Sequence, residues 1–449
     1  MASVVDDKIT TELDNYGQYA YWAEDDYEPK KRVLDAVDGM RNKKTSEKEI
    51  NKKLYGKVKN GQWNDLLGYH NGLYAGHVSE GDYRANGTSG GFATWILVQL
   101  LKLKKVDGVI CAVATDGEDG VLFKYKVLKT AADVKKAAKT KYYPMELSHV
   151  LKYVKEHDGK YAIVGIPSFI YELRLLQDVD QVFRRRIKYT IGLMCGHQKS
   201  TKYAEAMAWQ HGIKPGDLKE FVFRVKNEDY LPNQHLAKMR GKIGKTEKTI
   251  YRPLKDNFVS NWPLGFFKVA FSDYVDDIYN MTADVTLGDA WLEKYLKDKM
   301  GNNIVIVRNP EIQKIIKDGI AKGVLEVDEV DEATAIRTQA GAIHHQMDEA
   351  AYRFKKYGDN SLRLYKKYAN QEDPKALKKM VQKIRTDISM KSHQYYAEAV
   401  ARDDWTYFEK KMKKYVTGYN LVYKLIHAKS LGIKGSIDKA LGKPPRRKS

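Results

Sequence analysis

One stretch of sequence, residues 85–128, decides the fold class, and it reads ANGTSGGFATWILVQLLKLKKVDGVICAVATDGEDGVLFKYKVL. Its glycine-rich start, residues 87–91, precedes an apolar run at 92–104 that predicts a helix. A second apolar run, residues 106–115, predicts a buried strand. The turn sequence DGEDG then joins this strand to another at 121–128, as in a β-hairpin. The stretch therefore predicts a helix beside a β-sheet.

The same alternation continues towards the C-terminus. Further helices are predicted at 131–139, 145–157, 169–177, 201–211 and 310–322, and further strands at 161–166, 187–195, 283–287, 303–307 and 324–327. Apolar strands that alternate with helices at this spacing are typical of layered α/β proteins. We therefore predict an α/β fold with a mixed, largely parallel central sheet flanked by helices.

Both ends of the chain differ from this middle part. The first 84 residues are polar, aromatic and, in their second half, rich in glycine, which predicts an irregular segment. After residue 331 the sequence is charged and helical, with repeated tyrosine and lysine, and it ends in the basic tail GKPPRRKS. We therefore divide the chain into a divergent N-terminal segment (1–84), an α/β domain (85–330) and a helical C-terminal region with a basic tail (331–449).

The chain is basic, with 78 Lys and Arg against 58 Asp and Glu among 449 residues, a formal net charge of +20. This balance fits an acidic redox protein, a phosphate-bearing cofactor or a membrane surface, but equally a lysine-rich solvated surface. No nucleic-acid-binding motif accompanies the lysines, so nucleic acid is not the expected partner. No apolar run is long enough for a transmembrane helix, and the acidic start is unlike a signal peptide. We expect a cytoplasmic protein without a transmembrane segment.

The small number of cysteines limits which metal sites and disulfides the chain can form. The two cysteines, Cys111 and Cys195, lie in apolar, strand-like runs, which argues against a disulfide scaffold. Two thiols cannot supply a four-cysteine zinc or iron–sulfur site. His344 and His345 are adjacent in a helical run, where neighbours do not share a face. We predict no metal site.

Three turns are candidates for a ligand site. Glycines in the turn at 87–91 allow close backbone approach to an anion, and Thr88 or Ser89 can cap the helix that follows. This turn matches neither phosphate-binding fingerprint, so its spacing alone equally fits a plain capped turn. The turns at 165–168 and 192–197 also follow buried strands, whose carboxyl ends form the ligand crevice of open α/β sheets. We therefore expect the three turns to converge on one site.

Seven short motifs occur in the order typical of one family. They are TSGGF (88–92), VDGVI (106–110), TKYYP (140–144), AIVGIP (162–167), IGLMCGH (191–197), ADVTLGD (283–289) and IVIVR (304–308). By these motifs the chain resembles the coenzyme F-420 hydrogenase/dehydrogenase beta-subunit family, over more than half its length. Relatives include chlorophyll-type reductases and proteins encoded with surface-polysaccharide genes.

The resemblance implies an FAD site in the α/β domain. The residues implied as its wall are Thr88, Ser89, Gly90, Gly91, Lys141, Tyr142, Pro167 and Ser168. The sequence departs from the family where iron–sulfur clusters belong. No cysteine precedes Cys111, the usual Pro-Cys turn is Pro167-Ser168, and the paired-cysteine motif reads KVAFSD at 268–273. One family-like thiol, Cys195, cannot hold a cluster, so we expect FAD without iron–sulfur clusters.

His197 and Lys199, just past a strand end, are the candidate catalytic residues, although a structural turn fits them as well. Among the carboxylates, Asp276 and Asp277 are expected on a solvated helix surface, whereas Asp284 and Asp289 flank a strand and are candidates for the crevice. Cys111 is expected to be inert core.

Two functions stay open from the sequence. The first is a flavin-dependent oxidoreductase without iron–sulfur clusters, acting on a small organic or sugar-linked substrate, as in surface-polysaccharide biosynthesis. Its electrons would come from a hydride donor, nicotinamide or deazaflavin, in preference to ferredoxin. The alternative is a non-redox ligand-binding or group-modifying protein on the same scaffold. The oligomeric state is also open, with a homo-oligomer among the options.

Overall fold

The computed structural model of the protein describes residues 1–24, 27–117, 120–227, 229–359, 362 and 372–440, with side chains described as far as residue 429 except that of residue 345. The basic tail predicted at 442–449 lies outside the described residues.

Secondary structure covers all three predicted parts of the chain. The N-terminal part holds α1 (Ala2–Val5), β1 (Ile9–Leu13), β2 (Tyr19–Ala23), α2 (Lys31–Val37), α3 (Glu47–Tyr55), β3 (Gln62–Asn64), β4 (Gly68–His70), β5 (Gly72–Val78) and α4 (Tyr83–Asn86). The middle part begins with α5 (Phe92–Lys102), β6 (Gly108–Ala114), β7 (Phe123–Leu128), α6 (Ala131–Lys136), α7 (Ser148–Glu156), β8 (Tyr161–Gly165), α8 (Pro167–Val179), α9 (Gln181–Arg186), β9 (Ile187–Leu193) and α10 (Lys202–Gln210).

The middle part continues with β10 (Leu218–Val225), β11 (Leu236–Ile243), β12 (Thr246–Pro253), β13 (Val285–Asp289), α11 (Glu293–Leu296), β14 (Asn303–Val307), α12 (Pro310–Ala321) and β15 (Leu325–Glu329). The C-terminal part holds α13 (Glu332–Arg337), α14 (Ala340–Gln346), α15 (Ala350–Tyr357), α16 (Ala376–Arg402) and α17 (Trp405–Ala440).

The central sheet has eight strands in the order β15-β5-β14-β13-β9-β8-β6-β7. Strands β13, β9, β8 and β6 are neighbours and run parallel, and the remaining pairs in the sheet are antiparallel. Because β5 is antiparallel to β14, it runs in the same direction as these four. The predicted α/β class, with a mixed and largely parallel sheet, is confirmed.

Strand β5 enters the sheet from the N-terminal segment, before residue 85, and pairs with β14 and β15. Its glycines at 72 and 76 suggested turns. In the structure they mark close packing, because a Cβ atom on Gly76 would lie 2.1 Å from the carbonyl oxygen of Glu326. A Cβ atom on Gly72 would lie 2.5 Å from the side-chain oxygen of Gln313. Glycine inside a strand can therefore report the approach of a neighbour.

Helices cover both faces of the sheet. On one face α5 and α12 bury Phe92, Trp95 and Ile316 against the strands. On the other face α7, α8 and α9 bury an aliphatic layer that includes Leu151 and Ile170. This two-sided burial explains why the central strands read as continuous apolar runs.

A second, three-stranded antiparallel sheet of β10, β11 and β12 packs against the C-terminal helices. Phe223 from β10, Tyr396 from α16 and Phe408 from α17 belong to one shared core. Helices α16 and α17 pack along each other and are joined at Asp403, whose φ is 50°. The predicted helical C-terminal region is confirmed. Among the described helices, none has the length and apolar character needed to cross a lipid bilayer.

Candidate functional site

A cavity of about 970 Å³, here called the central cavity, lies at the carboxyl ends of β8, β9 and β13. Ile166 borders it after β8, residues 194–199 border it after β9, and Asp289 borders it at the end of β13. Parallel strands place their carboxyl ends at one edge of a sheet, which explains this convergence. The volume is at the upper end of the range of about 300–1,000 Å³ that is usual for ligand pockets.

The glycine-rich turn borders the central cavity through Gly87, Thr88, Ser89 and Gly91. Gly90 lies behind them, where a Cβ atom would be 2.5 Å from the carbonyl oxygen of Gly76. Gly91 has a φ of +88°, and a Cβ atom there would be 2.7 Å from the backbone of Tyr83. Packing within the fold therefore already requires both glycines, so substituting them would not test ligand binding alone.

The expected side-chain cap of α5 is wrong. Ser89 Oγ donates to the carbonyl of Asn302 at 2.8 Å, and Thr88 Oγ1 lies 2.9 Å from Oγ1 of Thr140. The N-cap residue is Gly91, and Asn303 Oδ1 accepts from the first helical amide at 3.4 Å. Residues 93 and 94 of α5 border the central cavity, and neither backbone amide has an acceptor among the described residues. They are donors available to an anion.

Lys141 and Tyr142 both border the central cavity. The Lys141 ammonium donates to the carbonyls of Ala137 and Ala138 at the end of α6. Burial, with Lys139 nearby, lowers the pKa of Lys141 to about 8. The ring of Tyr142 packs 4.8 Å from the ring of Trp262, and burial raises the pKa of its hydroxyl.

Pro167 and Ser168 lie elsewhere. They border a separate space of about 10 Å³, together with Glu47 and Asp277, whereas their neighbours Ile166 and Phe169 border the central cavity. Strand β8 ends at Gly165, and Pro167 and Ser168 are the first two residues of helix α8. Both therefore belong to the helix and not to the strand end. Two of the three predicted turns thus border the central cavity with most of their residues, and the third contributes Ile166 alone.

His197 and Lys199 border the central cavity around one tryptophan. The His197 ring stacks on Trp262, with 4.3 Å between centroids. The Lys199 ammonium lies 4.6 Å from the Trp262 ring centroid and 4.8 Å from that of Tyr203, and it donates to the carbonyl of Phe266 at 2.7 Å. Lys199 is fully buried, and burial lowers its pKa well below the ordinary value. Two rings and a carbonyl thus enclose the amine in this conformation.

Sequence reasoning missed a buried ion pair in the wall. Arg224 Nη1 of β10 donates to Asp289 Oδ2 at 2.8 Å, and its guanidinium lies 5.5 Å from the Trp291 ring centroid. Burial opposes the charge of Arg224, but the Asp289 carboxylate and Tyr142 raise its pKa above the ordinary value. An arginine in the apolar strand sequence FVFRV was the available signal, because a charged side chain in a core strand requires a partner.

His235 is a second missed residue, and nothing in its local sequence marks it. It borders the central cavity, is 7% exposed, and its Nε2 atom has no hydrogen-bond partner among the described residues. Burial, followed by the charges of Arg224 and Lys226, lowers its pKa to about 3. A buried and unpaired ring nitrogen at a cavity is a group that a ligand can satisfy.

The charge of the wall has one dominant sign. Seven lysine and arginine side chains border the central cavity, namely Lys139, Lys141, Lys199, Arg224, Lys255, Arg337 and Arg385. Asp289 is the single carboxylate that borders it within the described part of the chain. Low-dielectric walls focus such a field, so the cavity favours an anionic ligand.

The remaining candidates are accounted for by packing. Asp276 and Asp277 are buried, so their expected position on a solvated helix surface is wrong. Burial, then Glu47, raises the pKa of Asp277 to about 7. Asp284 does not border the central cavity; both of its oxygens are bonded to Arg174 and neighbouring groups. His344 bonds to Asp348 one turn later at 2.9 Å.

Both cysteines border the central cavity, and burial raises the pKa of Cys111 to about 11 and that of Cys195 to about 12. Within the described ranges, no three His, Cys, Asp or Glu side chains are grouped closely enough to hold a metal ion.

Two family models match consecutive parts of the chain, and both describe the beta subunit of coenzyme F420 hydrogenase/dehydrogenase. The N-terminal model matches residues 73–152, and the C-terminal model matches residues 158–333. Together they cover more than half of the chain. The chain belongs to this family. The first match begins inside β5, as expected if that strand is part of the family's sheet.

Among solved structures, one similar chain belongs to the F420-reducing [NiFe] hydrogenase complex from Methanosarcina barkeri, studied after xenon derivatization. It is 18% identical, the likeness covers 66% of this chain and 96% of that one, and the TM-score is 0.48. No curated protein matches the sequence.

The residues present fit a dinucleotide. The two amides at the start of α5 and the basic wall suit a pyrophosphate. The rings of Tyr142, Trp262 and Trp291 supply flat apolar surface, and the unpaired nitrogen of His235 supplies a polar contact.

Proposed function

We propose that the protein is a flavin-dependent oxidoreductase that binds FAD in the central cavity and acts on a small organic or sugar-linked substrate. The family supports an oxidoreductase-related role, and the observation that carries the flavin is the wall itself. The cavity is large, its wall contains aromatic and basic side chains, and the first residues of helix α5 border it. A role in surface-polysaccharide biosynthesis rests on the resemblance to relatives encoded with such genes.

The residues proposed to hold FAD are those of the glycine-rich turn with Lys141 and Tyr142. Thr88, Ser89 and Gly91 border the central cavity, and Gly90 fixes the turn by packing on Gly76. The proposal does not use Pro167 or Ser168, because they border a different space. Bound flavin would supply two-electron chemistry, taking a hydride from a donor and passing it to a substrate.

In this proposal His197 and Lys199 act through Trp262: both position its ring, and Lys199 places a positive charge beside it. His197 stacks on one face of the indole, and Lys199 places its amine over the same ring. Because Lys199 has no carboxylate partner among the described residues, its charged form would be stabilised by an anionic ligand nearby.

The electron source is proposed to be a hydride donor, nicotinamide or deazaflavin, in preference to ferredoxin. Two cysteines cannot supply a four-cysteine iron–sulfur site, so the proposal includes no such cluster to relay single electrons inwards. A hydride donor needs only to stack in the cavity with its reacting atoms about 3–3.5 Å from the flavin. Mixing flavin-loaded protein anaerobically with NADH, NADPH or reduced deazaflavin should bleach the flavin in one two-electron step. Bleaching by reduced ferredoxin alone would contradict direct hydride delivery.

The binding test distinguishes the contribution of the FAD phosphates to affinity from that of the flavin ring. The variant Lys255→Gln/Arg337→Gln removes two exposed charges from the rim of the central cavity. Titration followed by flavin fluorescence should show FAD affinity falling roughly tenfold at low salt, because each charge contributes to a focused field. Riboflavin, which carries no phosphate, should bind the variant and the parent equally.

The control variant Lys242→Gln/Lys245→Gln removes two exposed lysines from the hairpin of β11 and β12, away from the cavity wall. It should leave both affinities unchanged. A colourless protein that binds no added FAD, but binds a nucleotide sugar in titration calorimetry, would replace this proposal with the non-redox alternative.

A further inference from the structure

The C-terminal tenth of the sequence, which begins with helix α17, carries much of the chain's charge. Residues 405–449, one tenth of the chain, contain twelve lysines and arginines against Glu409 and Asp438, a net +10. That is half of the formal charge of +20 carried by the whole chain. None of the residues of this stretch that the structure describes borders the central cavity.

Over its described side chains, up to residue 429, helix α17 buries one face. Phe408, Met412, Tyr419 and Val422 are buried in the core shared with α16 and the small sheet. These positions recur at the spacing of one helical face. The opposite side of α17 is therefore turned away from the protein.

That opposite side, here called the outer face of α17, is formed by Lys410, Lys414, Thr417, Leu421 and Leu425, at successive offsets of four, three, four and four residues. Leu421 is 57% exposed and Leu425 is 48% exposed. Two leucines one turn apart, both open to solvent and flanked by lysines, form an apolar strip within a basic surface.

The charges of this face are not neutralised within the protein. Between residues 405 and 429 six lysines are exposed, at positions 410, 411, 413, 414, 424 and 429. None of the six forms an ion pair with a residue that the structure describes. Glu409 is the one acidic residue in the same stretch. The surface is thus free to meet an external anion.

We propose that the outer face of α17 binds the surface of a membrane that contains anionic lipid. Lysines attract the lipid headgroups, and a basic helix with exposed leucines lies in the interfacial plane with its apolar side towards the acyl chains. Nucleic acid would match the charge but would leave Leu421 and Leu425 in water. The binding is peripheral, and it does not depend on the proposed flavin chemistry.

The first experiment measures co-sedimentation of the full-length protein with vesicles. Vesicles of phosphatidylcholine with about 30% phosphatidylglycerol should bind the protein, and vesicles of phosphatidylcholine alone should not, because the lysines need anionic headgroups. The variant Lys410→Gln/Lys414→Gln/Lys424→Gln should weaken binding roughly 30- to 100-fold at low ionic strength.

A matched control carries the same loss of charge elsewhere. The variant Lys242→Gln/Lys245→Gln/Lys248→Gln alters three exposed lysines on the hairpin of β11 and β12. It should bind the anionic vesicles like the parent. Equal losses in the two triple variants would show a general charge effect and would overturn the proposal, as would a parent protein that ignores anionic vesicles.

The second experiment tests the apolar strip. The variant Leu421→Gln/Leu425→Gln should weaken vesicle binding roughly tenfold, because the helix can no longer insert apolar side chains. Met390→Gln, at a residue of α16 that is 65% exposed, serves as the control and should change nothing. Unchanged vesicle binding in the leucine variant, with tighter binding of the parent to duplex DNA, would assign this face to nucleic acid and refute a membrane role.

Discussion

Strand β13 has a buried aspartate–arginine pair at each end, and the two pairs differ in what surrounds them. Before the strand, Arg174 Nη2 lies 3.1 Å from Asp284 Oδ2, and the carboxylate also accepts from Tyr55 and Asn309. At its last residue, Asp289 pairs with Arg224 beside the central cavity. The first pair is enclosed by protein on all sides, whereas the second borders a space.

The difference teaches how to separate structural from functional buried charge. Every oxygen of Asp284 is satisfied, and the backbone amide of Thr190 adds a further bond at 2.8 Å. Such a saturated network has no capacity for a ligand. Beside Asp289, in contrast, His235 keeps an unpaired nitrogen, and the one carboxylate of the described wall stands among seven basic side chains.

The largest expected effect is at the enclosed pair. Asp284→Ala leaves the Arg174 guanidinium buried without its partner, so we expect unfolding free energy to fall by about 3–5 kcal/mol. Urea unfolding followed by circular dichroism measures this change. Asp318→Ala, at an exposed pair on α12, is the control and should cost less than about 1 kcal/mol. A small loss for Asp284→Ala would mean that water reaches the enclosed pair after all.

The next effect is a pH dependence at the cavity end. The pKa of His235 is about 3 in the folded protein, below its ordinary value of 6.5, so the unfolded chain binds the extra proton. Above pH 6.5 the ring is neutral in both states and the free energy of unfolding keeps its full value. As the pH falls from 6.5 towards 3, protonation favours the unfolded chain and that free energy decreases. Between pH 6.5 and 4.5 it should change unfolding free energy by about 2–3 kcal/mol.

Unfolding curves at several pH values test this dependence. His235→Gln should show a flatter decline of stability below pH 6.5 than the parent, because the variant has no ring to protonate. His157→Gln, at an exposed histidine that ends α7, should keep the parent's slope. Identical slopes in all three proteins would place the acid sensitivity elsewhere.

At Asp289 we expect two smaller effects of opposite sign, a loss of stability and a gain in affinity for FAD. Asp289→Asn should cost about 1–2 kcal/mol of stability, less than at Asp284, because the adjoining cavity can hold water around Arg224. The same change removes the one carboxylate of the described wall, so the affinity for FAD should rise about two- to fivefold at low salt. Fluorescence titration measures the affinity. Weaker binding would show that Asp289 positions Arg224 rather than merely neutralising it.

The smallest effect is expected at Tyr142, whose hydroxyl helps to raise the pKa of Arg224. Tyr142→Phe keeps the ring contact with Trp262 and removes this hydroxyl. Stability should change by less than about 1 kcal/mol, since the ring stays buried. Thermal unfolding and FAD titration together check this expectation. A loss as large as that of Asp289→Asn would make the hydroxyl part of the ion-pair network.

The sequence determined the layout of the middle of the chain, because burial of strands and helices leaves a local record. Apolar runs alternating with helices predicted the α/β sheet, and seven ordered motifs predicted the family. The position of the turn at 192–197 at the end of a strand was likewise readable, since turns after parallel strands meet at one edge.

Only the tertiary structure decided which side chains meet, because those contacts join residues far apart in the chain. Gly76 reads as a turn residue until β15 packs against it, and Asp284 and Asp289 are indistinguishable by sequence pattern although one is enclosed and the other borders a cavity. Arg224 and His235 reach the wall from the separate sheet of β10, β11 and β12. Local periodicity records that a residue is buried, but the group that faces it is set by packing of distant elements.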